Sequence, residues 1–230
     1  MVRDQEPLFA REGLFRQKLN QLRKTGKIPQ QTQGDTQSRL KELEQGSYLT
    51  NVQSTLSKTD PKELERITLL DNVTELYNHN TSSRIIADEL KRSKRYKHDS
   101  TILMLLVDNL YGIQQSHGAD VSDSILKGVA DFLMRTVRDV DIPARWSAEQ
   151  LLVLCPETDA QGVAILAERI RSRLPLERVS DLTQNWHVTV SIGIASFPSH
   201  AMNFEELLAR SEDALNQAID KGGNCVVIAE

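Results

Sequence analysis

A mixed α+β domain of ferredoxin-like arrangement, preceded by a helical extension, is the fold these 230 residues predict. Three observations carry it. Ile102 to Val107 form an unbroken apolar run of the length and kind that a strand buried on both faces requires. Amphipathic stretches with a 3.6-residue period alternate with short apolar runs in the order β-α-β-β-α-β. Two of those runs are separated only by Ser147-Ala148-Glu149-Gln150, a hairpin signal.

The elements follow in chain order. Leu8, Phe15, Leu19 and Leu22 recur at helical spacing within a basic arm: residues 1–30 carry seven basic side chains against three acidic ones. Such a helix suits a partner or a membrane surface, or docks on its own domain or a second copy. Residues 25–38 are polar with Gly and Pro and read as a linker. Leu49, Val52 and Leu56 indicate a short helix. Asp60, Pro61 and Glu63 form a helix start, with Leu64, Ile67 and Leu70 on its apolar face. This divides the chain into an N-terminal helical and linker region, residues 1–60, and a folded domain, residues 61–230.

Within that domain, residues 83–97 read as a helix with Ile85, Ile86 and Leu90 inward and Lys and Arg outward. Residues 101–108 read as a strand buried on both faces and 120–137 as a helix with Val121, Ile125, Val129 and Phe132 or Leu133 inward. Residues 142–146 and 151–155 form the hairpin. Residues 160–174 are helical, and 186–195 alternate apolar and polar as a strand. Residues 204–221 are a helix closed by Gly222-Gly223, and 224–229 are the last strand.

Composition narrows the function classes. The formal charge is −4, and a dedicated nucleic-acid binder is usually basic, so no nucleic-acid partner is expected. No apolar run approaches the roughly 20 residues of a membrane span, and the start has no signal-like apolar core. Cys155 and Cys225 lie far apart without metal-ligand spacing, which fits a reducing cytoplasm. His79, His98, His117, His187 and His200 do not form a ligand pattern either, and His187 reads as a strand-surface side chain. No Walker loop or nucleophile elbow is present.

Several segments together resemble the GGDEF domain, the catalytic domain of diguanylate cyclases, which join two GTP molecules into cyclic di-GMP. The entry motif D-x-L-T-G-L-x-N is similar to Asp71-Asn72-Val73-Thr74-Glu75-Leu76-Tyr77-Asn78. Y-G-H-x-x-G-D-x-x-L resembles residues 117–126. The signature hairpin A-R-x-G-G-D/E-E-F resembles Ala144-Arg145-Trp146-Ser147-Ala148-Glu149-Gln150-Leu151. V-T-V-S-I-G-I-A matches residues 188–195, and the tail R-A-D-x-A-L-Y-x-A-K-x-x-G-R-N resembles residues 210–224. The likeness covers residues 67–229. It implies a palm-type fold, a central, mostly antiparallel sheet flanked by helices, with metal-assisted phosphoryl transfer as the family chemistry. That chemistry uses carboxylates on two divalent ions, small residues at the hairpin turn and cations for the triphosphate.

At those points the sequence departs. The family's first metal-binding Asp falls on Leu106, and the second is retained as Asp108. Asp108 is two residues along the same strand face, so its reach differs by about 6–7 Å. The metal-binding acid of the signature is retained as Glu149, the next acid is Gln150, and Ser147 and Ala148 replace both glycines. The guanine-reading Asn falls on Gln114 and the guanine-reading Asp on Asp123. The tail's phosphate-binding cations fall on Ile219 and Gly223. The expectation is a degenerate member with vestigial Glu149, Asp108, Asp123 and Gln114. No cofactor is expected, Mg²⁺ entering only with residual cyclase activity. For Glu149 the alternative is a solvated turn charge, and for Asp123 a favourable acid in a first helical turn. Trp146 either stacks on guanine or packs at the sheet edge.

Many family members bind the product as an inhibitor at R-x-x-D five residues before the signature. Arg138-Asp139-Val140-Asp141 stands there, and Arg169 or Arg171 matches a second arginine on the following helix. Arginine donates a planar fork to guanine O6/N7 or phosphate, and a carboxylate accepts from guanine N1 and N2. The competing reading is an exposed ion pair of little worth. Three functions follow: a signalling module that binds cyclic di-GMP or only a protein partner, a residual cyclase, and a GTP binder without turnover. Homodimerisation through the N-terminal helices is a further expectation.

Overall fold

The computed structural model describes residues 69–179 and 186–230. The amphipathic arm, the linker, the helix near 49–56, the Asp60 helix start and the boundary at residue 60 lie outside the described residues.

The described elements are helix α1 (His79–Tyr96), strand β1 (Ser100–Val107), helices α2 (Leu110–His117) and α3 (Ala119–Thr136), strands β2 (Ile142–Arg145) and β3 (Gln150–Pro156), helix α4 (Ala160–Arg173), strand β4 (Val190–Phe197), helix α5 (Phe204–Asp220) and strand β5 (Val226–Ile228). They form one five-stranded sheet in the order β2-β3-β1-β4-β5. All neighbours are antiparallel except β4 and β5.

Local chemistry sets the boundaries. The side chain of Asn78 accepts from Thr81 N at 2.9 Å and opens α1. Asp159 does the same for α4 through Gly162 N, at 2.7 Å. Asn203 opens α5 through Glu206 N, at 2.9 Å, while Glu206 returns a carboxylate oxygen to Met202 N. After α5, Gly222 and Gly223 take positive φ of 102° and 77°, turning the chain into β5.

Helices cover both sheet faces, which is why β1 reads as continuous apolar rather than alternating. Leu103, Leu105 and Val107 form one cluster with Ile125, Val129 and Leu133 of α3 and Val163, Ala167 and Ile170 of α4. On the other face, Met104 pairs with Gly193 of β4. A methyl group on Gly193 would overlap the backbone of α5 at Ser211 O and Leu215 N. Glycine there lets α5 lie directly on the strand.

Several elements differ from the sequence expectation: α1 starts four residues early, at His79, and β5 spans only Val226–Ile228. The strand predicted over 186–195 begins only at Val190. His187 is exposed before it, its Nδ1 hydrogen-bonded to Pro175 O at 2.8 Å, so the alternation there continues into irregular chain. Helix α2 carries only two buried residues, Leu110 and Ile113, too few to announce it by periodicity.

Candidate functional site

The C-terminal end of β1 and the β2–β3 hairpin form one end of the sheet, since Leu106 opposes Gln150. Arg145, at the end of β2, organises the turn. It donates from Nε to Ser147 O (3.1 Å) and from Nη2 to Ala148 O (2.9 Å). Its Nη1 meets both carboxylate oxygens of Asp71, at 3.1 and 3.3 Å. Asp71 also accepts from Thr74 N and Thr74 Oγ1, each at 2.8 Å. Burial alone would raise the Asp71 pKa, but the Thr74 bonds and Arg145 outweigh it and hold the carboxyl below its usual value. Gln150 and Ser147 knit the turn further: Ser147 Oγ donates to Gln150 Oε1 at 3.2 Å and accepts from Gln150 N at 3.3 Å. Glu149 sits half-buried in this turn. Trp146 packs against the His79 ring, centroids 4.1 Å apart.

Asp108, directly after β1, points its carboxylate into a ring of donors. Thr189 Oγ1 donates at 2.6 Å, Ser191 Oγ at 2.7 Å and Asn224 N at 3.0 Å. Gly223 lies so close that a Cβ there would stand 3.3 Å from Asp108 Oδ1. Leu106, two residues earlier, is half-buried. Among the described residues no three His, Cys, Asp or Glu side chains group closely enough to hold a metal ion. Gln114 is exposed on α2, its carbonyl accepting from Gly118 N at 2.9 Å. Asp123, on α3, lines a cleft of about 440 Å³ with Val73, Lys127, Asp131, Arg135 and Arg178. Gln114 does not line that cleft.

A second constellation lies at the C-terminal end of α3. Asp141 is 2% exposed, and its carboxylate accepts from Arg138 N at 2.7 Å. Its own amide donates to Arg138 O at 3.1 Å, so residues 138–141 form a turn closed twice. Cys155, which opposes Asp141 if the β2–β3 register is extended by one pair, is buried beneath. Burial first, then the Asp141 charge, push its thiol well above the ordinary value. Arg169 reaches from α4 to Thr136 O at 2.8 Å, two residues before Arg138. Arg171 turns the other way, to Glu168 at 2.8 Å and Asn224 at 3.4 Å. Of the two arginines the sequence left open, Arg169 is the one whose guanidinium reaches the chain just before Arg138.

Comparison with known proteins decides the family. Residues 68–225 match the model of the diguanylate cyclase GGDEF domain. The chain belongs to the GGDEF domain family. Among its relatives is the response regulator PleD of Caulobacter vibrioides, 28% identical over 163 residues, 70% of this chain and 36% of PleD. The chain thus spans little more than a third of that relative. Among solved structures it resembles the GGDEF domain of DgcB from Caulobacter crescentus, determined in complex with c-di-GMP. The TM-score is 0.65 at 22% identity, over 71% of this chain and 94% of that one. It also resembles diguanylate cyclase SiaD of Pseudomonas aeruginosa, determined with its activator SiaC. There the TM-score is 0.67 at 24% identity, covering 98% of this chain and 92% of the other. These likenesses establish the GGDEF fold.

Seen as a GGDEF domain, the chain keeps the signature hairpin in place by side chains. The Arg145–Asp71 clamp and the donors around Asp108 escaped the sequence reading. Asp71 and Arg145 stand in two separate motif segments, and only their pairing was hidden. Thr189 and Ser191 looked like the polar face of a strand. Among the described residues no helix is long and apolar enough to cross a membrane.

Proposed function

We propose that this GGDEF domain senses cyclic di-GMP rather than making it, through the face formed by Arg138, Asp141 and Arg169. The observation that carries the reading is the reach of Arg169 to Thr136 O, which brings an arginine of α4 to the chain just before the exposed Arg138 turn. Asp141 enters chiefly as the residue that holds this turn, because its carboxylate is buried against Arg138 N. Arg138 and Arg169 supply the planar cations for guanine edges or phosphates. That the GGDEF domain of DgcB was solved with c-di-GMP supports this ligand class.

Silence of the cyclase site rests on its donor set. Two divalent ions on a triphosphate need several carboxylates at the end of β1 and the hairpin. Leu106 supplies none, Gln150 is neutral, and Asp108 is occupied by three donors. Glu149 alone does not make such a centre, so the residues present do not fit the metal pair, and no catalytic step is derived through it. Ile219 and Gly223 offer no phosphate cation.

A second reading, a protein-interaction module, is favoured by Val140 and Ile165, 62% and 74% exposed, one on the Arg138 turn and one a helical turn before Arg169. SiaD bound to its activator is a relative that does engage a protein. Calorimetric titration with cyclic di-GMP separates the two. Micromolar binding, weakened about tenfold or more in Arg138→Ala and in Arg169→Ala, is expected. Absence of heat in the wild type would leave the protein-interaction reading. The alternative of an active diguanylate cyclase is met by incubation with GTP and Mg²⁺ or Mn²⁺: product above a Glu149→Ala control would overturn catalytic silence.

A further inference from the structure

Helix α1 carries a feature that neither the hairpin end nor the Arg138 face uses. Its inward residues, Ile85, Ile86, Glu89, Leu90 and Ser93, are buried. Its outward stripe runs through Arg84, Asp88, Lys91 and Arg95, spaced by four, three and four residues, with Lys94 beside it. All five are exposed. Four cations thus stand against one acid along about 16 Å of helix surface. The one acid, Asp88, pairs with the exposed Lys91 at 2.8 Å and cancels one charge, so the stripe keeps a net +3.

The stripe ends on an aromatic. Tyr96 is 62% exposed, with the Arg95 guanidinium 5.3 Å from its ring centroid and His98 stacked parallel at 6.4 Å. Lys97 follows in the left-handed conformation, φ 58°, exposed beside it. An exposed tyrosine held by its neighbours and ringed by lysine and arginine combines the two properties of interfacial anchors: an amphipathic ring at headgroup depth and cations for anionic headgroups. The Arg95 guanidinium over the ring occupies one face of Tyr96. That disfavours stacking of a nucleic-acid base.

We propose that the outer face of α1, from Arg84 to Lys97, docks on an anionic phospholipid surface. Tyr96 lies just before β1 and Asp108 just after it, so the aromatic end of this face lies at the end of the sheet opposite the hairpin. The proposal does not depend on the cyclic di-GMP reading.

The test is co-sedimentation of the full chain with vesicles of phosphatidylcholine alone and of phosphatidylcholine with one-third phosphatidylglycerol. Binding only to the anionic vesicles, weakening with added salt, is expected. The combined variant Lys91→Glu, Lys94→Glu, Arg95→Glu should lose about a hundredfold in affinity, and Tyr96→Ala a smaller factor. Thermal melts of these surface variants should match the wild type, which separates lost docking from lost folding. The N-terminal arm is also basic, so Arg16→Glu, Lys18→Glu, Arg23→Glu, Lys24→Glu serves as the control and should keep most of the α1-dependent binding. Vesicle binding that survives α1 reversal and vanishes with arm reversal would overturn the proposal. So would no vesicle binding at all, including the case where a single-stranded oligonucleotide binds instead.

Discussion

Asp108 and Asn224, 116 residues apart in sequence, are joined by a 3.0 Å hydrogen bond from the Asn224 amide to the Asp108 carboxylate. The same carboxylate takes the hydroxyls of Thr189 and Ser191. One half-buried acid therefore ties the end of β1 to the lead-in of β4, to β4 itself and to the turn before β5.

This makes Asp108 a stabilising residue first. Asp108→Ala strands two hydroxyls and an amide, and should cost about 2–4 kcal/mol in urea unfolding. Asp108→Asn keeps the shape and one acceptor, and should cost about half as much. Equal stability of Asp108→Ala and wild type would mean that these donors find other partners.

The Asp71–Arg145 clamp carries a pH dependence. Asp71 is held below its unfolded value, so its contribution is fully present above the ordinary carboxylate pKa and is lost as pH falls through the folded one. Arg145→Ala should flatten the acid limb of stability below about pH 4. It should also speed amide exchange in the hairpin turn, where Arg145 holds Ser147 O and Ala148 O. An acid limb unchanged in the variant would assign the loss to other carboxylates.

His200 contributes with the same sign by a different route. Its Nδ1 accepts from Ser196 N at 3.1 Å, which requires the neutral ring. Burial first, then the charge of Arg210, lower its pKa. Its stabilisation is present above about pH 6.5 and fades as pH falls through the lower folded value. Comparing thermal melts of wild type and His200→Gln between pH 5 and pH 8 should show the gap closing toward acid.

Gly193 sets how closely α5 lies on β4. Gly193→Ala would drive a methyl into the α5 backbone at Ser211 and Leu215, and should cost about 1–3 kcal/mol by chemical denaturation. A neutral substitution would show that α5 can shift outward without loss.

The sequence alone carried the α+β class, the order of elements and the likeness to a family, while the strand order β2-β3-β1-β4-β5 belongs to the tertiary structure. Ile102 to Val107 announced a strand covered on both faces, and Leu103, Leu105 and Val107 on one side and Met104 on the other are buried as that reading requires. Gly222 and Gly223 mark a helix end because a left-handed C-cap is a local backbone requirement that glycine meets. Motif order along the chain sufficed to suggest the GGDEF family. Tertiary structure decided the pairings between distant residues. Arg169 and Arg171 have equal standing in sequence, yet they point to Thr136 O and to Asn224, since one helical step of two residues turns a side chain by about 200°. Asp108 as an isolated letter reads as a spare metal ligand. Its place between β1, β4 and the last turn, where three donors converge, makes it a structural acceptor, because hydrogen-bond satisfaction belongs to neighbours in space and not to neighbours in sequence.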